Sequence, residues 1–137
     1  MSNTHEYKLR IRYEEVDGMK IVHNLKYLVY FEEARIDLVE KENYPYEQIE
    51  KEGIILPISE TMIKFINPIY YGEYIKIFVN VGFIKNFSMK FIYWIFKENG
   101  ELSCEGYTIH ASVEKETLDF IEVPEKLIDI LKQYIVE

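Results

Sequence analysis

The sequence predicts an α+β domain in which an antiparallel sheet of five or six strands wraps one long central helix. Two patterns lead there. Asn24 to Glu42 carries Leu25, Leu28, Val29, Phe31, Ala34, Ile36, Leu38 and Val39 on more than one helical stripe, so this helix is largely buried. Four apolar, β-type segments then follow in series with tight turns between them, and such strands pair antiparallel. One long buried helix needs that sheet as its cover.

The elements can be justified in order. In Tyr7 to Tyr13, Tyr7, Leu9, Ile11 and Tyr13 alternate with charged or polar residues, the period of a half-buried strand. A polar loop carrying Asp17 precedes the helix, and Asn24 is a good N-cap residue. Asn43 and Pro45 stop the helix, and Tyr46 to Lys51 reads as a short helical turn ending at Gly53. The four further strands are Ile54 to Ile66, Tyr74 to Phe83, Phe87 to Lys97 and Leu102 to Val113. Asn67-Pro68 ends the first of these, because proline removes a ladder donor. Lys85-Asn86 turns one pair and Asn99-Gly100 the next. Pro124 suits the first position of a closing helix whose apolar side is Leu127, Leu131, Tyr134 and Ile135.

Two strand faces carry further expectations. Phe87, Met89, Phe91, Tyr93 and Ile95 share one face, and Ile92, Trp94 and Phe96 share the other, with Phe78 beside them. A sheet apolar on both faces needs a second cover, either another copy of the chain or the closing helix. His110 alternates with Tyr107, Ile109, Ala111 and Val113, which places it on the outward face.

Composition bounds the function. A length of 137 residues suits a single domain spanning 1–137, and 48% hydrophobic residues is enough for a core without staples. The net charge of −8 argues against a nucleic-acid partner. Cys104 is the only cysteine, so there is no internal disulfide and no cysteine zinc set, as in a reducing cytoplasm. No apolar run has the length of a signal peptide or a membrane span, so a cytoplasmic protein with no membrane partner is expected. No cluster has metal-ligand spacing, so no metal is expected.

The residues that can carry chemistry lie around the helix start. The free N–H groups and the dipole of a helix N-terminus favour negative charge and polarise a carbonyl placed there. Asp17 stands just before that point. It can act as a base toward water, attack a carbonyl itself, or merely make a local turn hydrogen bond. His23 is either a proton carrier or substrate contact, or a solvated loop residue.

The stretch RYEEVDGMKIVHNLKYLVYFEEAR, from Arg12 to Arg35, resembles the opening signature of hot-dog-fold acyl-CoA thioesterases of the 4-hydroxybenzoyl-CoA thioesterase type. Tyr13, Glu15, Asp17, Met19, Asn24 and Tyr27 carry the spacing, with Tyr27-Leu28 and Phe31 to Arg35 matching the helix. Pro68 with Gly72-Glu73, and Lys85 followed by Ser88, resemble later elements of that family. The likeness covers about Tyr7 to Phe120. Lys20 departs from a usual glycine and Lys26 from a frequent asparagine.

The resemblance implies a hydrolase that cleaves an acyl-CoA thioester to a carboxylic acid and free coenzyme A. It implies Asp17 as the catalytic carboxylate and the backbone N–H of Asn24 as the oxyanion donor, with His23 beside them. It implies active sites between two subunits of a homodimer or homotetramer. Tyr27, Leu56, Ile58 and Met62 would meet the acyl group, and Lys85, Ser88 and Lys90 the coenzyme A. No cofactor is implied, since coenzyme A is part of the substrate. The rivals are a non-catalytic acyl-CoA or acyl-carrier binding module and an acyl-carrier-protein thioesterase, for which Lys20, Lys26, Lys85 and Lys90 would form the basic face. A dehydratase fits less well, because its paired Asp and His elements are not evident.

Overall fold

The computed structural model describes residues 3–136. Its elements are β1 (His5–Arg10), α1 (Lys26–Lys41), α2 (Tyr46–Lys51), β2 (Ile54–Ile55), β3 (Ile58–Phe65), β4 (Tyr74–Ile84), β5 (Ser88–Phe96), β6 (Leu102–Ala111), β7 (Val113–Glu114) and α3 (Glu125–Leu131). One sheet has five strands in the order β1-β4-β5-β6-β3, every neighbouring pair antiparallel, and β2 pairs β7 in a small second sheet. The expected single strand Ile54 to Ile66 is therefore two, split between the sheets at Leu56-Pro57. The first strand is also shorter than its alternation suggests, because Tyr13–Glu15 winds into a 3-10 turn.

The sheet curls around α1 as expected. Tyr27, Tyr30, Phe31, Ala34, Arg35, Leu38 and Val39 are its buried side. Leu25 and Val29 are not buried; they lie on a flank the sheet leaves open. Phe31 stacks on Tyr93 of β5 with ring centroids 4.2 Å apart. On β6, Gly106 makes that contact possible. A Cβ there would sit 2.4 Å from the Met62 carbonyl oxygen and 3.0 Å from the Phe31 ring.

The facing of β6 corrects the sequence reading of His110. Cys104, Gly106, Thr108 and His110 point inward, while Tyr107, Ile109 and Ala111 lie on the outer face. Both sets are compatible with alternation, and the inner one is tolerated because its polar groups form a closed chain. The carbonyl of Leu56 only accepts, so His110 Nδ1 carries the hydrogen across 2.8 Å. His110 Nε2 then accepts from the Thr108 hydroxyl at 2.9 Å, and Thr108 accepts from the Tyr93 hydroxyl at 2.7 Å. Tyr93 in turn accepts from the Arg35 guanidinium at 3.0 Å, and Tyr46 takes a second Arg35 hydrogen at 3.1 Å. Burial, then the positive charge of Arg35, push the His110 pKa down to about 4. Burial likewise pushes the Cys104 thiol up to about 12, which removes it as a nucleophile.

On the outer face, Phe78, Trp94 and Phe96 are half-buried and border an open groove of about 480 Å³ with Thr4 and Asn80. The closing helix does not cover it, because α3 turns Leu127, Ile130 and Leu131 into the core. The Asn99-Gly100 turn is as expected, with Gly100 at φ +90° and its N–H on the Lys97 carbonyl at 2.9 Å.

Two tests follow from this packing. Gly106→Ala should lower unfolding free energy by about 1–3 kcal/mol in urea melts, since the added methyl meets backbone as well as a side chain. His110 binds a proton in the unfolded chain near pH 6.5 and in the folded chain only near pH 4. Its contribution is therefore complete above pH 6.5 and is lost as the pH falls toward 4, by roughly 3 kcal/mol at most. Comparing melts at those two pH values, His110→Gln should show a smaller acid loss than the parent protein.

Candidate active site

The chain enters α1 through a small hairpin. Val16 bridges Val22, the Asp17 N–H donates to the Ile21 carbonyl at 2.9 Å, and the His23 N–H donates to the Glu15 carbonyl at 3.0 Å. Lys20, at the tip, has φ +67°, a left-handed conformation that explains why glycine suits this position. Its ammonium lies 4.6 Å from the centre of the Tyr13 ring, so it is held on that ring. The second arm of the hairpin is fixed to the body by Val22 N–H on the Ile69 carbonyl and by an Ile21–Tyr70 bridge.

Asp17 is half-buried. Its Oδ1 accepts from the Met19 N–H at 2.8 Å and the Ile21 N–H at 3.2 Å, an Asx turn that fixes the carboxylate in place. Its Oδ2 accepts no hydrogen bond among the described residues. So the carboxylate makes the local turn and still has one oxygen to use.

The helix start differs from the expectation for Asn24. The helix begins two residues later, at Lys26, and the Asn24 side chain makes no capping bond. Leu25 takes the cap place with φ −65° and ψ −23°, already helical. Entry is through a tight turn instead, with Lys26 N–H on the His23 carbonyl at 2.9 Å and Tyr27 N–H on the Asn24 carbonyl at 3.3 Å. That turn leaves the N–H groups of Asn24 and Leu25 without an acceptor among the described residues.

Asp17, His23 and Asn24 border one open cavity of about 570 Å³, together with Met19, Leu25 and Lys26. A smaller cavity of about 180 Å³ shares Ile21, Val22 and Asn24 with it and adds Tyr27, Phe65 and Ile66 as apolar walls. Tyr27 is buried and meets Phe65 edge-on, ring centroids 5.0 Å apart. The structure thus brings four of the sequence-selected residues together: Asp17, His23, Asn24 and Tyr27.

The others stand elsewhere in the chain. Ile58 and Met62 are exposed at 44% and 42% on β3, the edge strand that pairs with β6. Leu56 is half-buried beside them, and none of the three borders the Asp17 cavity. Lys85, Ser88 and Lys90 lie at the β4–β5 turn, whereas the Asp17 hairpin docks at the opposite end of β4. The length of β4, 11 residues or roughly 35 Å at about 3.3 Å per residue, separates them. Lys85 and Lys90 rest over Phe83 and Tyr107, 4.3 Å and 4.2 Å from the ring centres.

Sequence reasoning missed the support beneath the hairpin. The Glu15 carboxylate is buried and accepts from the Arg12 N–H at 2.8 Å and from its guanidinium at 2.7 and 3.0 Å. Arg12 also reaches Glu33 of α1 at 2.9 Å. Burial alone would raise the Glu15 pKa, but the bonds from Arg12 outweigh it and hold the group below the usual carboxylate range. The signal available in the sequence was the Arg12–Glu15 spacing of three in a turn. Among the described residues no group of His, Cys, Asp and Glu side chains has the arrangement of a metal site, and no helix is long and apolar enough to cross a membrane.

Comparison with known proteins places this geometry. A Bacillus subtilis protein named "Putative acyl-CoA thioesterase YneP" is 30% identical over 115 residues, 84% of this chain and 83% of its own length. The crystal structure of a DHNA-CoA thioesterase from Staphylococcus aureus superposes with a TM-score of 0.87 at 28% identity, covering 96% of this chain and 88% of that one. The 1,4-dihydroxy-2-naphthoyl-CoA thioesterase Slr0204 from Synechocystis shares the fold, with a TM-score of 0.89 at 18% identity over 95% of this chain and 96% of its own. Residues 11–131 match the thioesterase-like superfamily, so the chain belongs to that family and has its hot-dog fold.

Proposed function

We propose that this protein hydrolyses acyl-CoA thioesters, with Asp17 as the reacting carboxylate and the N–H groups of Asn24 and Leu25 as the oxyanion donors. One observation carries the reading: a fixed carboxylate with a free oxygen and a helix start with two free N–H groups border the same cavity. Membership of the superfamily supports thioester hydrolysis as the reaction class. A thioester carbonyl oxygen placed at the helix start is polarised, and the same donors stabilise the oxyanion formed on attack.

Two routes fit these groups. Asp17 takes a proton from water as the water oxygen attacks the carbonyl carbon; the C–S bond then breaks and the thiol leaves with that proton. Alternatively, Asp17 Oδ2 attacks, the thiolate leaves, and water cleaves the resulting anhydride. The apolar walls at Ile21, Val22, Tyr27 and Phe65 suit the acyl group. His23, exposed at the mouth, serves as a substrate contact.

The protein works as at least a dimer in this reading. Within one chain the Lys85–Ser88–Lys90 hairpin is too far from Asp17 to meet the same coenzyme A, so a second copy supplies it. The exposed apolar residues of β3, Ile58, Met62 and Phe65, give that copy a surface to cover.

Asp17→Asn is the test of the carboxylate. Asparagine keeps the Oδ1 acceptor of the Asx turn, so the hairpin should persist and folding should change little. Release of free thiol across a panel of acyl-CoAs should fall by about 100-fold or more in kcat, while acyl-CoA binding survives. Retained turnover would show that Asp17 is not the reacting group; a parent protein that binds the panel without turnover would be a binding module. A second test replaces both Lys85 and Lys90 with Ala. KM should rise with kcat little changed, and the effect should shrink with added salt.

A further inference from the structure

We infer that Glu15 is a positioning residue, clamped by Arg12 onto α1 so that its buried carboxylate fixes the Asp17 hairpin against the helix start. Its kinetic consequence rests on the hydrolase reading above; its structural consequence does not.

Glu15 belongs to the hairpin twice over. Its main-chain carbonyl accepts the His23 N–H at 3.0 Å and so closes the base of the loop. Its side chain, 5% exposed, is held by three hydrogen bonds, every one of them from Arg12. Arg12 completes the clamp by reaching Glu33 with two further bonds, at 2.9 and 3.4 Å. Among the described residues this Arg12–Glu33 pair is the sole side-chain hydrogen-bonded link between residues 12–24 and α1. The other ties of the hairpin, at Ile69, Tyr70 and Tyr71, fasten it to the loop before β4 instead.

The charge count explains why the clamp is sensitive. One guanidinium serves two carboxylates, one of them buried. Without it, Glu15 and Glu33 are like charges facing each other across the gap between hairpin and helix, and the buried one keeps only the main-chain N–H of residue 12. The hydroxyl of Tyr30, buried on α1 and without a hydrogen-bond partner among the described residues, lies close enough to Glu15 that burial and then that charge raise its pKa. The relaxed arrangement therefore moves the hairpin outward. That changes the separation between the Asp17 carboxylate, on the first arm of the hairpin, and the free N–H groups of Asn24 and Leu25, where the second arm runs into α1. A shift near 1 Å at a reacting pair is enough to cost about 100-fold in rate.

The experiment compares Arg12→Gln, Arg12→Lys and Glu15→Gln with Tyr134→Phe, which loses a 2.7 Å bond to Glu42 far from the hairpin. Amide hydrogen exchange should quicken at Ile21 and His23 in the three clamp variants relative to amides of β5, and not in Tyr134→Phe. In thiol-release assays, kcat should fall by about 10- to 100-fold for Arg12→Gln and Glu15→Gln with KM within about twofold. Arg12→Lys, which keeps the charge without the fork, should lie between them and the parent. Unchanged exchange at Ile21 and His23 would overturn the inference, as would kcat values that simply follow thermal stability across all four variants. If the parent protein releases no thiol from any acyl-CoA, the hydrolase reading fails, and the exchange pattern alone decides the role of Glu15.

Discussion

The contact between Phe31 and Gly106 sets the depth at which α1 lies in the sheet, and much of the molecule follows from it. The ring sits over the one position of β6 that has no side chain and stacks on Tyr93 from the neighbouring strand. A helix drawn this close to its sheet buries a continuous side, from Tyr27 to Val39. Leu25 and Val29 stay on the flank that the sheet leaves open, and the N–H groups of the helix start meet a cavity rather than a strand.

Two buried charges hold this helix, and the fold treats them differently. Glu15 is neutralised by Arg12 three residues before it, which also crosses to Glu33 of α1, so its charge survives burial. Among the described residues Arg35 has one carboxylate within reach, the mostly exposed Glu32 at 4.0 Å. Its hydrogens are instead absorbed by the tyrosine hydroxyls that begin the chain to Thr108, His110 and the Leu56 carbonyl. Because Tyr93, Thr108 and His110 each give and take one hydrogen, the neutral form of His110 is the one that fits. A second proton would leave Nε2 facing a hydroxyl that already points at it.

The candidate site uses the backbone more than side chains. An Asx turn aims the carboxylate, and a tight entry turn frees two donors at the positive end of a helix. Neither feature needs to reorganise when charge develops on a bound carbonyl, which is the condition for electrostatic stabilisation of a transition state. The ion-pair clamp matters in this setting because the two halves sit on separate pieces of chain, a hairpin and a helix.

How much of this was legible depends on how far apart the cooperating residues lie. Asp17, His23, Asn24 and Tyr27 fall within eleven consecutive residues, so local turn and helix geometry alone brings them together, and the sequence was enough to find them. The strand and helix order was legible for the same reason, since alternation and turn residues are local signals. Facing was not. On β6 the outer face carries the apolar Tyr107, Ile109 and Ala111 together with the charged Glu105, and the inner face carries Thr108 and His110, so alternation gave conflicting signals for His110; the partner groups on Arg35, Tyr93 and Leu56 decided it. The break of Ile54 to Ile66 into β2 and β3 was likewise set by pairing with β7 and β6, which are distant in sequence. Local pattern determined which elements form and which residues gather at the helix start. Tertiary structure decided their exposed sides, the clamp under the hairpin and the distance to the lysine turn, because each of those is a contact between segments whose separation the chain itself does not encode.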